Sequence, residues 1–165
     1  MKSKLNIPKV KDIMTTKIFY LSPSDSVVTA IELFQKHQSS SAPVINEKKQ
    51  VIGYLSDTDC IKCIGNCLFH GEIRNNTLDN IMSTCVKTIE QNLDIFELEN
   101  IFTEVHLRHA PVVDEEKNLV GVVSRRDVLE ALSKLVREAL PAERVKDIRD
   151  LTIHERMQIV IDMID

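Results

Sequence analysis

The chain has 165 residues, 43% of them hydrophobic and 28% charged, a balance that suits a folded protein with a real core. A formal net charge of −4 lacks the basic excess of a polyanion-binding surface, which argues against nucleic acid as a partner. The opening MKSKLNIPKV has no apolar signal core, no window approaches the ~20 apolar residues that span a bilayer, and the four cysteines do not form a disulfide framework, so a reduced, cytoplasmic protein without a membrane partner is expected.

After a lead over residues 1–9, VKDIMTTKI begins a unit in which a short strand is expected near Ile18–Tyr20. Ser24 and Asp25 offer N-caps, and Val27, Ala30, Ile31 and Phe34 follow at i, i+3, i+4 and i+7, which predicts an amphipathic helix. APVIN and VIGYL flank the polar EKKQ and predict strand–turn–strand. SDTD then opens another apolar-periodic helix. In it, the stretch DCIKCIGNCLFH from Asp59 to His70 spaces Cys60, Cys63, Cys67 and His70 like a metal site.

The same elements then recur. DIMTTKI from Asp12 aligns with NIMSTCV from Asn80, and APVINEKKQVIGYLSDTD from Ala42 with APVVDEEKNLVGVVSRRD from Ala110, each at an offset of 68 residues. One register without a gap over both segments identifies a tandem duplication. The second copy predicts a strand near Val86–Thr88, a cap at Asn92 and a helical stripe of Ile95, Leu98, Phe102 and Val105. Strands APVVD and LVGVV and a last helix after SRRD complete it. Each unit reads β-α-β-β-α, so the fold class is α+β. A single unit cannot bury both helix stripes, and the copies are expected to pack as a pseudo-twofold pair. The organisation read from the chain is a lead over 1–9, repeat one over 10–66, a linker over 67–77, repeat two over 78–135 and a helical extension over 136–165.

The register also reinterprets the cysteines. Cys60, Cys63 and Cys67 correspond to Val128, Ala131 and Leu135, an aliphatic core stripe, and cysteine packs well as a small hydrophobe. Three ligands on one straight helical face would be spread over about 10 Å of axis, too far for one tetrahedral ion. A metal- or redox-sensing role through these cysteines stands as an alternative, and no metal is expected.

In the extension, Thr152 and Glu155 form a capping-box signature, and Ile153, Met157, Val160, Ile161 and Ile164 follow at helical spacing. Such a helix needs a surface, which its own repeats, a second copy or an unidentified protein partner could supply.

With VKDIMT, APVI and VIGYLSxxD in this order, the chain resembles the cystathionine-β-synthase (CBS) domain, and two in tandem resemble a Bateman module. The resemblance spans roughly Val10 to Leu135 and is strongest to small stand-alone bacterial CBS-pair proteins. It implies a regulator, not a catalyst, that binds an adenine nucleotide in the cleft between repeats and pairs into a flat homodimer. By the same resemblance, Asp59 and Asp127 would accept from ribose hydroxyls, and Ser56 and Ser124 would touch ribose or phosphate. Ser40 and Ser41 in copy one, with Arg108 and His109 in copy two, would flank base and phosphate, and Ser22 matches another pocket-lining position.

The residues add a physical reading. A strand ending at SDTD or SRRD exposes backbone N–H groups that attract phosphate, although S-x-x-D also makes a capping box. Arg125 and Arg126 add cations suited to phosphate where copy one has Asp57 and Thr58, so the expected anion site lies where the cations of copy two converge. Few aromatic residues are available to stack a base, which leaves aliphatic side chains and backbone for adenine. AMP, ADP, ATP, S-adenosylmethionine and NAD are not distinguished, although AMP, ADP and ATP head the expectation, and no other cofactor is implied. A ligand-free interaction scaffold is the first alternative. No nucleophile elbow, P-loop or paired acid and base appears, so no catalytic residue is assigned.

Overall fold

The structure, a computed structural model, describes residues 6–70 and 77–139. The extension expected over 136–165 therefore lies outside the described residues from position 140 onward.

A single helical turn, α1 (Val10–Ile13), leads into helix α2 (Val27–His37), strands β1 (Ser41–Ile45) and β2 (Val51–Ser56), and helix α3 (Asp57–His70). A 3₁₀ turn at Leu78–Asn80 opens the second copy, followed by β3 (Ile89–Glu90), α4 (Ile95–Glu104), β4 (His109–Val113), β5 (Leu119–Ser124) and α5 (Arg125–Ala139). Helix α3 runs into the stretch read as linker, and α5 into the stretch read as extension.

The helix starts fall two residues later than the caps expected at Ser24 and Asn92. Ser26 caps α2 by accepting from the Thr29 N–H at 3.1 Å. Asp94 caps α4 by accepting from the N–H groups of Phe96 and Glu97, and the Glu97 carboxylate returns the bond to the Asp94 N–H. The earlier Asp25 is engaged elsewhere, accepting from the Ser22 N–H at 2.7 Å to close the turn before the helix. Val27, Ala30, Phe34, Ile95, Leu98 and Phe102 face the core as the stripes predict. Val105 does not: it caps α4 and is half exposed.

In each copy the strands pair as an antiparallel hairpin, β1 with β2 and β4 with β5, with a bulge at the same register position. The extra strand expected at 18–20 and 86–88 forms three residues later. In copy two it is β3, parallel to β4 through Ile89 and Val112. In copy one it shrinks to one parallel bridge, Leu21 to Val44.

The two copies exchange their opening segments. Val10 lies with no exposed surface in the core of the second repeat, among Ile89, Leu98, Val112 and Val128. Leu78 is equally buried in the core of the first, among Leu21, Phe34, Val44 and Cys60. Backbone bonds follow the same exchange: Val10 N–H donates to Leu93 O at 2.9 Å, and Leu78 N–H to Asp25 O at 3.0 Å. Met14 lies against Gly121 and Met82 against Gly53, both at glycines where no Cβ intrudes. Neither core is complete without a piece of the other repeat, which joins the pair into one folding unit.

Cys60 and Cys63 belong to the first core, as their counterparts Val128 and Ala131 belong to the second. Cys67 is only half buried where Leu135 is buried. Burial, with Asp59 nearby, pushes the Cys60 thiol up to about 11. Burial and a hydrogen bond with Cys67 also raise Cys63. Thiols held protonated are poor metal ligands and poor nucleophiles. Among the described residues, no group of three histidine, cysteine or carboxylate side chains is placed to hold a metal ion. None of the described helices is long and apolar enough to cross a membrane.

Candidate functional site

The exchange of opening segments builds a cleft between the repeats. Thr15 pairs with Val122 in both directions, N–H to O at 2.9 and 3.0 Å, and so anchors the opening segment of copy one on β5 of the other copy. The end of α2 and the start of β1 form the facing wall. Between them lies a cavity of about 330 Å³, within the range of roughly 300–1,000 Å³ typical of small-molecule sites.

Its lining combines several chemistries. Ser124 and Asp127 stand at the strand-to-helix corner of copy two, and His109 at the start of β4. Ser39 and Ser41 bring hydroxyls from copy one, and Thr15 and Lys17 come from the exchanged segment. Apolar surface comes from Ile18, Phe19, Pro43, Val122 and the ring of Tyr54. The Tyr54 hydroxyl lies 3.1 Å from Ser41 Oγ, and burial raises its pKa above the usual phenol value.

Both S-x-x-D corners form reciprocal capping pairs. Asp127 Oδ2 accepts from Ser124 N–H at 2.7 Å and from Ser124 Oγ at 2.6 Å. The Asp127 N–H returns a 3.3 Å bond to Ser124 Oγ. Ser56 and Asp59 repeat the arrangement at 2.9, 2.6 and 3.3 Å. In each pair Oδ2 takes both bonds, and Oδ1 has no partner among the described residues. Capping and ligand contact are thus compatible at one carboxylate.

Of the residues singled out in the sequence, Ser41, His109, Ser124 and Asp127 meet in this cavity. Ser40 lines a second hollow, of about 510 Å³, which shares Gln38, Ser39 and His109 with the first. Ser56 and Asp59 line neither, and Ser22 sits in the turn before α2 with its hydroxyl 2.9 Å from Ser24 Oγ. The arginines do not converge on the cavity. Arg108 and Arg126 are exposed and outside it, and the guanidinium of Arg125 folds back to donate from Nε and Nη2 to Leu107 O at 3.1 and 2.8 Å. Lys17 and the imidazoles of His37 and His109 line the cavity instead.

Beside the aliphatic side chains, the cavity has an aromatic face. Phe19 lines the cavity, stacked on His37 with centroids 4.4 Å apart and planes 12° apart, and meets Phe34 edge-on at 6.2 Å. At the register positions of Phe19 and His37, copy two has Lys87 and Val105, so the stack has no mirror image. Those two substitutions were the available signal in the sequence. The exchange that carries Phe19 to Asp127 was not.

The CBS domain family model matches residues 10–66 and again 78–134. The chain is 28% identical over 119 residues to CBS domain-containing protein YhcV of Bacillus subtilis, covering 72% of this chain and 81% of that one. It is similar to the CBS-pair protein CBSX2 of Arabidopsis thaliana, solved in complex with AMP, at a TM-score of 0.69 and 25% identity over 78% of this chain and 98% of the other. The CBS domain pair of protein MJ0100, solved with 5′-methylthioadenosine and S-adenosyl-L-methionine, shares the fold at a TM-score of 0.64 and 23% identity, covering 78% of this chain and 98% of that one.

Proposed function

The chain belongs to the CBS-domain family, as a tandem pair, and on that premise we propose that it is a non-catalytic regulatory module that binds one adenosine-containing ligand in the cleft bounded by Phe19, Gln38 and Asp127. The observation that carries this reading is a cavity in which the Asp127 carboxylate, a stacked aromatic, Lys17 and two imidazoles converge from both repeats. Asp127 Oδ1 would accept from the ribose hydroxyls, as the resemblance implies. Phe19 offers a face for the base, with Ile18 and Val122 closing around it. Lys17 and His109 would meet the charged end of the ligand, which makes AMP, ADP or ATP the leading candidates. Ligand occupancy would reach a partner through the exchanged segment, because Thr15 to Phe19 belongs to both the site and the inter-repeat seam. A cytoplasmic residence suits such a role.

Thermal unfolding of protein stripped of co-purified nucleotide tests the reading, with AMP, ADP, ATP, S-adenosylmethionine and NAD as ligands. One of them at 100 times its dissociation constant is expected to add about 2.7 kcal/mol. No stabilisation by any of the panel overturns the sensing role and leaves the ligand-free scaffold.

A homodimer is also proposed. Six of the nine large exposed apolar side chains among the described residues fall in register pairs: Val28 with Phe96, Ile61 with Leu129, and Leu68 with Val136. Ile61 and Leu129 are each 69% exposed, too much apolar surface on corresponding helices to be accidental. A surface with internal twofold character suits an isologous contact, in which the same patch serves both protomers. Ile61→Glu/Leu129→Glu is expected to convert the protein to monomer in light scattering, and a monomeric wild type would rule the dimer out.

A further inference from the structure

Gln38 closes α2 at φ 50° and ψ 42°, in the left-handed region, with its N–H donating to Gln35 O and Phe34 O. Glycine is the usual residue there, because a Cβ in that conformation costs roughly 1 kcal/mol. His106, its register partner, has φ 54°. Both copies therefore hold a side chain at the same strained position, but only one of them reaches a site. Gln38 lines both hollows, and His106 lines neither.

The Gln38 side-chain amide has no hydrogen-bond partner among the described residues. Its neighbour His37 is the residue stacked on Phe19, and all three line the same cavity. A non-glycine residue kept in a strained conformation at the wall of a site is a pattern that points to function. An amide offers a donor and an acceptor side by side, and adenine presents the complementary pair at N6 and N7.

We infer that Gln38 is the specificity-determining residue that reads the base in this cleft, selecting adenine over other purines while Phe19 holds the ring. The inference rests on the nucleotide-binding reading above. It accounts for a side chain where glycine would be more stable, and for the presence of that side chain beside the aromatic stack.

The test compares wild type, Gln38→Gly, Gln38→Glu and His106→Gly, measuring AMP and IMP affinity by calorimetry and unfolding without ligand. Both glycine variants are expected to unfold at higher denaturant than wild type, since the strain is removed. Gln38→Gly should lose AMP affinity by roughly 5- to 100-fold, the range of one bidentate base contact, together with the preference for AMP over IMP. Gln38→Glu keeps a side chain at this position but replaces the amide donor with a carboxylate, whose charge also repels an anionic ligand, so it should weaken AMP without gaining stability. His106→Gly should bind AMP as wild type does. A Gln38→Gly protein with wild-type affinity and preference overturns the role of Gln38 and leaves the nucleotide site standing, and one that unfolds earlier than wild type removes the strain on which it rests. Failure of the wild type to bind AMP overturns the nucleotide reading and this inference with it.

Discussion

Asp127→Ala is expected to abolish nucleotide binding, by more than roughly 100-fold, while Asp59→Ala leaves it within about threefold. The magnitude follows from hydrogen bonds to a charged group, worth about 1.5–3 kcal/mol each, made to two ribose hydroxyls, with about 1.4 kcal/mol per tenfold in affinity. The contrast follows from where the two carboxylates lie. Their local geometry is nearly the same, each Oδ2 bonding the N–H and Oγ of the serine three residues earlier. Asp127 lines the cavity that contains Phe19 and Lys17, and Asp59 does not. Loss of the cap should cost both variants about the same stability, roughly 1 kcal/mol, which separates capping from binding. The measurement is denaturant unfolding of the ligand-free variants alongside calorimetric titration. Equal losses of binding in the two variants would mean that both clefts are occupied, and no loss in Asp127→Ala would remove the site from this corner.

Much of this architecture was legible because a duplication supplies its own control. The offset of 68 assigned strands, helices and the S-x-x-D corners in both copies, and it identified Cys60 and Cys63 as core by showing Val128 and Ala131 in their places. What escaped was long-range. The exchange of Val10 and Leu78 between cores leaves no periodic trace, because each segment is a short apolar lead whichever repeat it joins. That exchange builds the cavity: it brings the neighbouring Lys17 and Phe19 to Asp127, which is far from both in sequence. The arginines are placed by a similarly non-local contact. Arg108, Arg125 and Arg126 lie outside the cavity, and the Leu107 carbonyl at the end of the preceding loop holds the Arg125 guanidinium. In copy one the cap falls at Ser26, because Asp25, also expected as a cap, is committed to the turn at Ser22.

If the exchanged segment is what assembles the cleft, a substitution that lifts it should destroy binding from outside the site. Gly121→Val is the sharpest case. A Cβ at position 121 would lie 2.6 Å from Met14 Sδ and 3.0 Å from the backbone oxygen of Thr15. A methionine side chain can move aside, but the Thr15 carbonyl is fixed by its pairing with Val122. The added branch must therefore push the segment off β5, which also drags Val10 from the second core. Overpacking of this kind costs about 1–3 kcal/mol, and the rigid backbone on one side favours the upper end. Gly53→Val provides the comparison, since the three atoms nearest a Cβ there all belong to the flexible side chain of Met82. Its clash can be relieved by a change of rotamer, and it falls on the seam that carries Ser83 rather than Phe19. Gly53→Val is therefore expected to be the milder variant and to retain nucleotide binding, while Gly121→Val loses it even where the protein remains folded. Unfolding curves and titrations on both variants decide the matter. Wild-type affinity in a folded Gly121→Val protein would show that the cleft does not depend on the exchanged segment, and would place the ligand elsewhere in the repeat pair.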